Sequence, residues 1–566
     1  MKAIQLIVIT AAIAFASACK DATVPVAIIP EPDSISIGED CFKVAGAPSI
    51  VEDNIPASAV EAIKDFSNHL QTVTGKPIRK NAPAFSYKLD EKLAPEAYTI
   101  EISKKGAIIS AADLNGFLYA IQSVKQMLPT AVYGNTASKE KWILPAVRIQ
   151  DGPRFAYRGL MLDSSRHFIP AEEVYKIIDL MLVHKMNRLH WHLTDDQGWR
   201  IESKKYPRLT EIGAWRNGTE IQRRKVADGI RYGGFYTQDQ LRAIVKYAAA
   251  RGITIVPEID IPGHTTAAVA SYPELGCSGK QVEVRQLWGI SEDVLCPGKE
   301  STFEFLEGIL TELMDIFPSE YIHIGGDECP KQSWENCPRC QARIRQLGLR
   351  DKDGFSAEHY LQNYVTARVQ KIINDHGRKI IGWDEILEGE LAEGATVMSW
   401  RGTKGGIEAI GKGFDVIMSP NNYCYINYFQ TKERDKEPRR NGRYLPVEQV
   451  YGYEPSDGIP ENGMEHILGV QCNLWGEFLP DNTHLEYQLL PRMSAFSEVA
   501  WCRKDNKDYG RFLTSLEHMT GIYKALDFVY CRYLWGYVGL PGHELPARSK
   551  EELDTLDYHK VPYMEY

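Results

Sequence analysis

The stretch Tyr321-Ile322-His323-Ile324-Gly325-Gly326-Asp327-Glu328 decides how the rest of the chain is read. A short β-favouring run ends in two glycines and then two adjacent carboxylic acids. Neighbouring side chains of a regular strand point to opposite faces. Asp327 and Glu328 can therefore reach one ligand only if the pleat breaks at the glycines, at the strand's C-terminal end. That end is where a β/α barrel keeps its catalytic groups. Taken alone, two neighbouring acids read as a solvated loop, because acids are mostly exposed; the surroundings have to decide.

Working outward, a pattern of strand, loop and helix repeats from about residue 154. Expected strands are 159–163, 188–192, 254–258, 321–325, 379–383, 396–400, 415–419 and 467–473. Helical spacing lies between many of them, at 171–184, 238–251, 303–316, 357–376 and 403–412, with another at 488–500 after the last. Eight such units predict an α/β fold, a closed (β/α)8 TIM barrel over 151–505. A doubly wound open sheet is the alternative, but no glycine-rich phosphate loop follows the first strand.

Upstream, 22–150 reads as a small α+β domain. Residues 98–102 alternate like a strand, Lys104-Lys105-Gly106 suits a hairpin turn, 107–110 is its partner, and 115–128 has helical spacing. Residues 506–566 hold one more helix (509–526) and an irregular aromatic tail. At the start, Lys2 precedes an apolar run from Ile4 to Ala18, which reads as a secretory signal over 1–18. Ala16-Ser17-Ala18 before Cys19 also resembles a lipobox, so Cys19 is expected to carry lipid. Attachment to a membrane would be through that anchor alone, with the body in the periplasm or at the cell surface. The net charge of −10 offers no basic stripe for a nucleic-acid partner. Export permits disulfides, and Cys277–Cys296 is the expected pair. Cys329, Cys337 and Cys340 offer a Cys-x-x-Cys stretch, but no fourth zinc ligand stands at matching spacing, so a disulfide or free thiols are expected there.

The strand ends carry most of the unusual residues: Asp163, Arg166 and His167; His190, His192 and Asp195; Glu258 and His264; Asp327 and Glu328; Trp383 and Glu385; Trp400; Tyr425 and Asn427; Trp475 and Glu477. Three tryptophans at one barrel mouth suit a walled pocket for the apolar faces of a sugar ring, with Arg166, Asp195, Asn427 and Glu477 for its hydroxyls. Acids outnumber bases there, which favours a neutral polyhydroxylated ring over a phosphate.

The chain resembles family 20 glycoside hydrolases, the β-N-acetylhexosaminidases. The resemblance runs through Arg158-Gly159-Leu160-Met161-Leu162-Asp163, Ser165-Arg166-His167-Phe168, His190-Trp191-His192-Leu193-Thr194-Asp195-Asp196, Pro262-Gly263-His264, His323-Ile324-Gly325-Gly326-Asp327-Glu328 and Trp475-Gly476-Glu477, in that order. It implies exo-acting, retaining, substrate-assisted cleavage, an exception to the scheme of two enzyme carboxylates, and requires no cofactor or metal. Glu328 is implied as general acid, tuned by burial and by the charge of its neighbour. Asp327, ionised, is implied to hold the substrate's acetamido N–H. Arg166 and Glu477 are implied to bind outer hydroxyls, Trp383, Trp400 and Trp475 to enclose the acetamido group, and Tyr425 to hold its carbonyl oxygen. Asp195 and His264 are implied to tune the acid. Many bacterial relatives have Asp where this chain has Asn427, which leaves the gluco or galacto preference open. Alternatives are a metal hydrolase using His190, His192, His264 and His323, a non-catalytic glycan-binding lipoprotein, and a two-carboxylate enzyme with Glu258, Glu385 or Glu477 as nucleophile.

Overall fold

The computed structural model describes residues 25–563 except 222, 223, 392 and 559. The expected leader and Cys19 lie outside the described residues. The chain forms two compact units: one ends at Gly152 and includes Glu517–Leu526, the other comprises Pro153–Leu516 and Asp527–Tyr566. Residues 506–566, read above as a separate closing segment, are thus divided between the two.

The smaller unit is a six-stranded sheet in the order Ser34–Lys43, Ile143–Asp151, Tyr98–Ser103, Gly106–Ala111, Ala84–Leu89 and Ser49–Val51. The hairpin expected at Lys104-Lys105-Gly106 is present, pairing Ser103 with Gly106. Alternate residues Ile100, Ile102, Ala107 and Ile109 are buried. Helices Ala57–Thr74 and Leu114–Gln126 supply the covering layer, and Asp113 caps the second by accepting from Gly116 N.

The larger unit is a closed parallel barrel of Tyr157–Asp163, Arg188–His192, Thr254–Glu258, Tyr321–His323, Lys379–Trp383, Thr396–Ser399, Asp415–Met418 and Ile467–Leu474. Each strand pairs with the next, and the eighth closes on the first from Gly469↔Tyr157 to Leu474↔Leu162. The first strand is buried at every position, as a strand sandwiched between barrel interior and outer helices must be. Near its centre Tyr157, Val256, Ile381, Trp383, Met398 and Ile417 pack together.

Two expectations change. The helix expected over 488–500 is two helices, Asn482–Leu489 and Arg492–Trp501, because Pro491 has no N–H to continue the ladder. Cys277 and Cys296 are not bonded to each other; both are free. Cys296 Sγ instead lies 3.8 Å from Cys337 Sγ and 3.6 Å from Cys340 Sγ, beyond covalent reach.

Candidate active site

The fourth strand's ladder stops at His323, two residues earlier than expected. Gly325 and Gly326 then take φ of 65° and 100°, a region open to glycine without steric cost. A Cβ on Gly325 would stand 1.8 Å from Asp260 Oδ1, so no larger residue fits. Gly326 N donates to that same oxygen at 3.2 Å. The turn runs on into Glu328 at φ 47°, a conformation costly for a residue with a side chain and common where a site demands it. His264, at φ 51°, shares that geometry.

The broken pleat brings Asp327 and Glu328 to one cavity of about 140 Å3 at the C-terminal mouth of the barrel. Arg166, Trp400, Tyr425, Asn427, Trp475 and Glu477 line it, all singled out in the sequence. Tyr428 and Asn441 line it too and were missed. Tyr428 directly follows Asn427 and could have been included; Asn441 arrives only because its short strand pairs with Tyr428, which no local pattern signals.

Trp400 stacks on Tyr425 with centroids 5.9 Å apart, and Tyr425 meets Trp475 at 6.2 Å. Trp383 does not line the cavity. Its ring lies behind Trp475 at 5.8 Å, and its Nε1 donates to Glu258 Oε1 at 3.0 Å, drawing the indole into the barrel. It is a floor beneath the aromatic walls. Arg166 is fixed on three sides: Nη1 donates to Asp163 Oδ2 at 3.1 Å, Nη2 pairs with Asp195 Oδ2 at 2.8 Å, and the guanidinium lies 4.9 Å over Trp475. Asp163 also accepts from Gly476 N at 2.9 Å, clamping the first strand end to the Trp475–Glu477 segment.

Asp195 and His264 sit behind the two acids. His264 Nδ1 lies 3.3 Å from Asp195 Oδ1 and 3.4 Å from Asp196 Oδ2, while Nε2 faces Glu328 Oε2 at 3.6 Å and Asp327 Oδ2 at 3.8 Å. Burial disfavours its charge, but Asp195, Asp196 and Glu328 hold the imidazole well above its ordinary value. Burial would also raise Asp195; Arg166 and His264 hold it far below the usual carboxylate range instead.

The burial expected of Glu328 falls on its neighbour. The Glu328 side chain is 39% exposed, while Asp327 is buried. Burial first, and then Asp260, pushes the Asp327 carboxyl well above the usual range, with His264 pulling the other way. This departs from the expectation of a simply ionised Asp327. After burial itself, the largest contribution comes from Asp260, which sequence reading assigned no role: burial raises it to about 7, and one of its carboxyl oxygens lies within 4.8 Å of a carboxyl oxygen of Asp327 and a ring nitrogen of His264. Burial pushes both carboxyls up and His264 pulls both down, so an ionised Asp327 needs a donor that the protein does not supply to its Oδ1. Asp327 Oδ1 is buried with no hydrogen-bond partner, and so is Asn427 Oδ1.

The residues of the metal-hydrolase alternative are mostly elsewhere. His190, His192 and His323 turn into the barrel interior around Glu258, all fully buried. His190 Nε2 donates to Glu258 Oε2 at 3.0 Å, and its Nδ1 accepts from Gln471 Nε2 at 2.9 Å, which fixes a neutral tautomer. His192 bonds Glu258 through Nδ1 and Asp195 Oδ2 through Nε2 at 2.9 Å, so it donates at both ends. Glu258, enclosed in this way, does not line the cavity. Glu385 binds Trp400 Nε1 at 2.9 Å, and burial raises its carboxyl well above the usual range.

Against known proteins, a family model described as glycosyl hydrolase family 20, catalytic domain, matches residues 155–504, and one for domain 2 of the same family matches 26–152. A β-hexosaminidase of Porphyromonas gingivalis is 41% identical over 546 residues, covering 95% of this chain and 67% of the relative. The structure of the family 20 β-N-acetylhexosaminidase from Streptomyces coelicolor superposes with a TM-score of 0.77 at 30% identity, covering 90% of this chain and 98% of that one. An exo β-N-acetylglucosaminidase from Vibrio harveyi, solved with N-acetylglucosamine, gives 0.78 at 30% identity, covering 90% and 78%.

Proposed function

The chain belongs to glycosyl hydrolase family 20, and from that premise we propose that Asp327 and Glu328 carry out the cleavage together. The enzyme is an exo-acting β-N-acetylhexosaminidase that removes terminal β-linked N-acetylhexosamine by substrate-assisted catalysis with retention. Glu328, reaching open cavity, donates its proton to the glycosidic oxygen as the bond to the anomeric carbon breaks. Asp327 accepts the acetamido N–H. Tyr425 holds the acetamido carbonyl oxygen, which attacks the anomeric carbon and closes an oxazolinium ring. The Asp327 carboxylate stabilises that cation. Glu328 then takes a proton from water, which opens the ring. An internal nucleophile has a high effective molarity, so the protein supplies none. Arg166 and Glu477 hold outer hydroxyls, Trp400 and Trp475 wall the ring with Trp383 beneath, and Asp195 acts through His264 on the acid pair.

One observation carries this reading: Asp327 Oδ1, buried and without a partner, lies at the cavity beside Glu328. It is an acceptor awaiting a donor. A substrate panel tests it. Nitrophenyl β-N-acetylglucosaminide or β-N-acetylgalactosaminide should turn over at least about 10³-fold faster than the β-glucoside, which lacks the internal nucleophile. Equal rates would restore a two-carboxylate enzyme with Glu385 or Glu477 as nucleophile.

The enzyme is further read as an exported lipoprotein, lipidated at Cys19 and working in the periplasm or at the cell surface. The support is the apolar run from Ile4 to Ala18 ending in Ala16-Ser17-Ala18-Cys19. Cys19→Ala should abolish incorporation of labelled palmitate and detergent-phase partitioning; unchanged labelling would refute the anchor.

A further inference from the structure

Two loops of the barrel, far apart in sequence, meet at four sulfurs. Cys277 and Cys296 belong to the long connection after the third strand. They stand side by side because Gly276 and Leu295 form an antiparallel bridge and Cys296 N donates to Leu275 O at 2.8 Å. Cys337 and Cys340 belong to the segment after Glu328. Pro338 starts the helix Pro338–Leu347, so Cys337 sits at its N-cap and Cys340 on its first turn. Gly298 lets the two loops touch: a Cβ there would lie 2.6 Å from Cys340 N.

The ligand atoms of the four cysteines all lie within 4.8 Å of one another. Cys277 Sγ is 3.8 Å from Cys340 Sγ, Cys296 Sγ is 3.8 Å from Cys337 Sγ, and Cys296 Sγ is 3.6 Å from Cys340 Sγ. Disulfide sulfurs stand about 2.0 Å apart. A tetrahedral zinc with bonds of about 2.3 Å separates its sulfurs by about 3.8 Å. The observed spacing is the second. Cys296, Cys337 and Cys340 are buried, and Val294, Trp334, Ile344 and Leu361 enclose them in an apolar shell. Four thiols gathered in such a shell gain little from one another, whereas a divalent cation binds them as thiolates. The helix N-terminus at Pro338 offsets part of their negative charge.

We propose that Cys277, Cys296, Cys337 and Cys340 bind one zinc ion in a closed structural site. Four protein ligands leave no open position, so the ion takes no part in the chemistry. Its place in the chain gives it a purpose. The first loop carries His264, and the second begins at Cys329, immediately after Glu328. A bond from Trp334 Nε1 to Leu295 O at 2.8 Å joins the same two loops. The zinc ties them together and keeps Glu328, in its left-handed backbone conformation, facing His264.

The test uses the full chain, purified without a polyhistidine tag. Elemental analysis should find about one zinc per chain, and peptide mapping without reductant should find none of the four cysteines in a disulfide. Cobalt exchanged into the wild-type protein should give the sulfur-to-cobalt charge-transfer band of a thiolate site, a readout that needs no variant to fold. Cys337→Ser with Cys340→Ser should lose the zinc and the band. Removing zinc from the folded wild type should lower its melting temperature, restored by zinc and not by magnesium. Disulfides among the four cysteines, iron in place of zinc, or metal-free protein of unchanged melting temperature would each overturn the assignment.

Discussion

Glu258 and Asp260 leave the same strand end two residues apart, both fully buried, and their carboxyls move in opposite directions. Burial raises both. Around Glu258, however, His190, His192, His323 and the Trp383 indole converge, and the histidines hold it well below the usual range. Asp260 has one bond from Gly326 N, an oxygen without a partner, and Asp327 close by, and it stays up at about 7. One acid region is a finished ion cluster inside the barrel. The other, at the mouth, is left short of donors and keeps its backbone strained at His264 and Glu328. The difference separates structure from chemistry: compensated charge holds the barrel together, and uncompensated charge is kept for the substrate.

The contrast breaks most visibly at the mouth. Glu328→Gln should cut turnover by about 10²–10⁴-fold, the usual worth of a positioned acid. Stability should change by well under 1 kcal/mol, because the side chain is exposed. Substrates whose leaving group needs no proton should recover part of the rate; equal loss on every leaving group would remove Glu328 from that role. Asp327→Asn should cost about 10²–10³-fold on every leaving group, since it acts on the acetamido group.

In the finished cluster the signs reverse. Glu258→Gln leaves the His192 ring with one carboxylate instead of two and removes the charge that three histidines face. Breaking a buried pair costs roughly 3–5 kcal/mol. Urea unfolding should register a loss of that order, and a loss below about 1 kcal/mol would mean the cluster contributes no net stability.

These two regions also differ in how far they could be read from residues alone. The eight strands were legible because buried parallel strands are short apolar runs, and their ends delivered nearly every cavity residue. Glycines 325 and 326 announced the break in the pleat. Asp260 went unremarked because its effect depends on the Asp327 carboxyl, a contact across two loops that no local pattern encodes. Trp383 was placed in the wall because position on a strand end does not say which way an indole turns; the Glu258 acceptor settles that. The two cysteine pairs lie on separate loops, with Cys337 41 positions after Cys296, so only Cys337 and Cys340 showed ligand spacing.

The pH response sharpens the comparison further. Asp260 keeps its proton up to about 7 when folded and loses it near 3.8 when unfolded. Between those values the folded state holds more protons, so its stability falls as pH rises, by at most roughly 4 kcal/mol, and the loss is complete above about 7. Asp260→Asn cannot titrate and keeps an acceptor for Gly326 N. The melting temperature of the variant relative to wild type should climb from pH 4 to 7 and then level off. A constant difference across that range would show that Asp260 is not the group holding the proton.

The smallest expected effect lies at Asn427. Its Oδ1 is buried at the cavity without a partner, while its amide nitrogen is a donor. Asn427→Asp keeps the shape and replaces that donor with a second, charged acceptor. A sugar hydroxyl that donates to residue 427 gains, and one that accepts from it loses. The 4-hydroxyl is the group whose direction separates gluco from galacto sugars, so the substitution should move the ratio of kcat/KM between β-N-acetylglucosaminide and β-N-acetylgalactosaminide. One exchanged hydrogen bond is worth about 0.5–1.5 kcal/mol, up to roughly tenfold. Equal changes on both substrates would mean that residue 427 meets a hydroxyl the two sugars present alike, and the 6-hydroxyl would then be its partner.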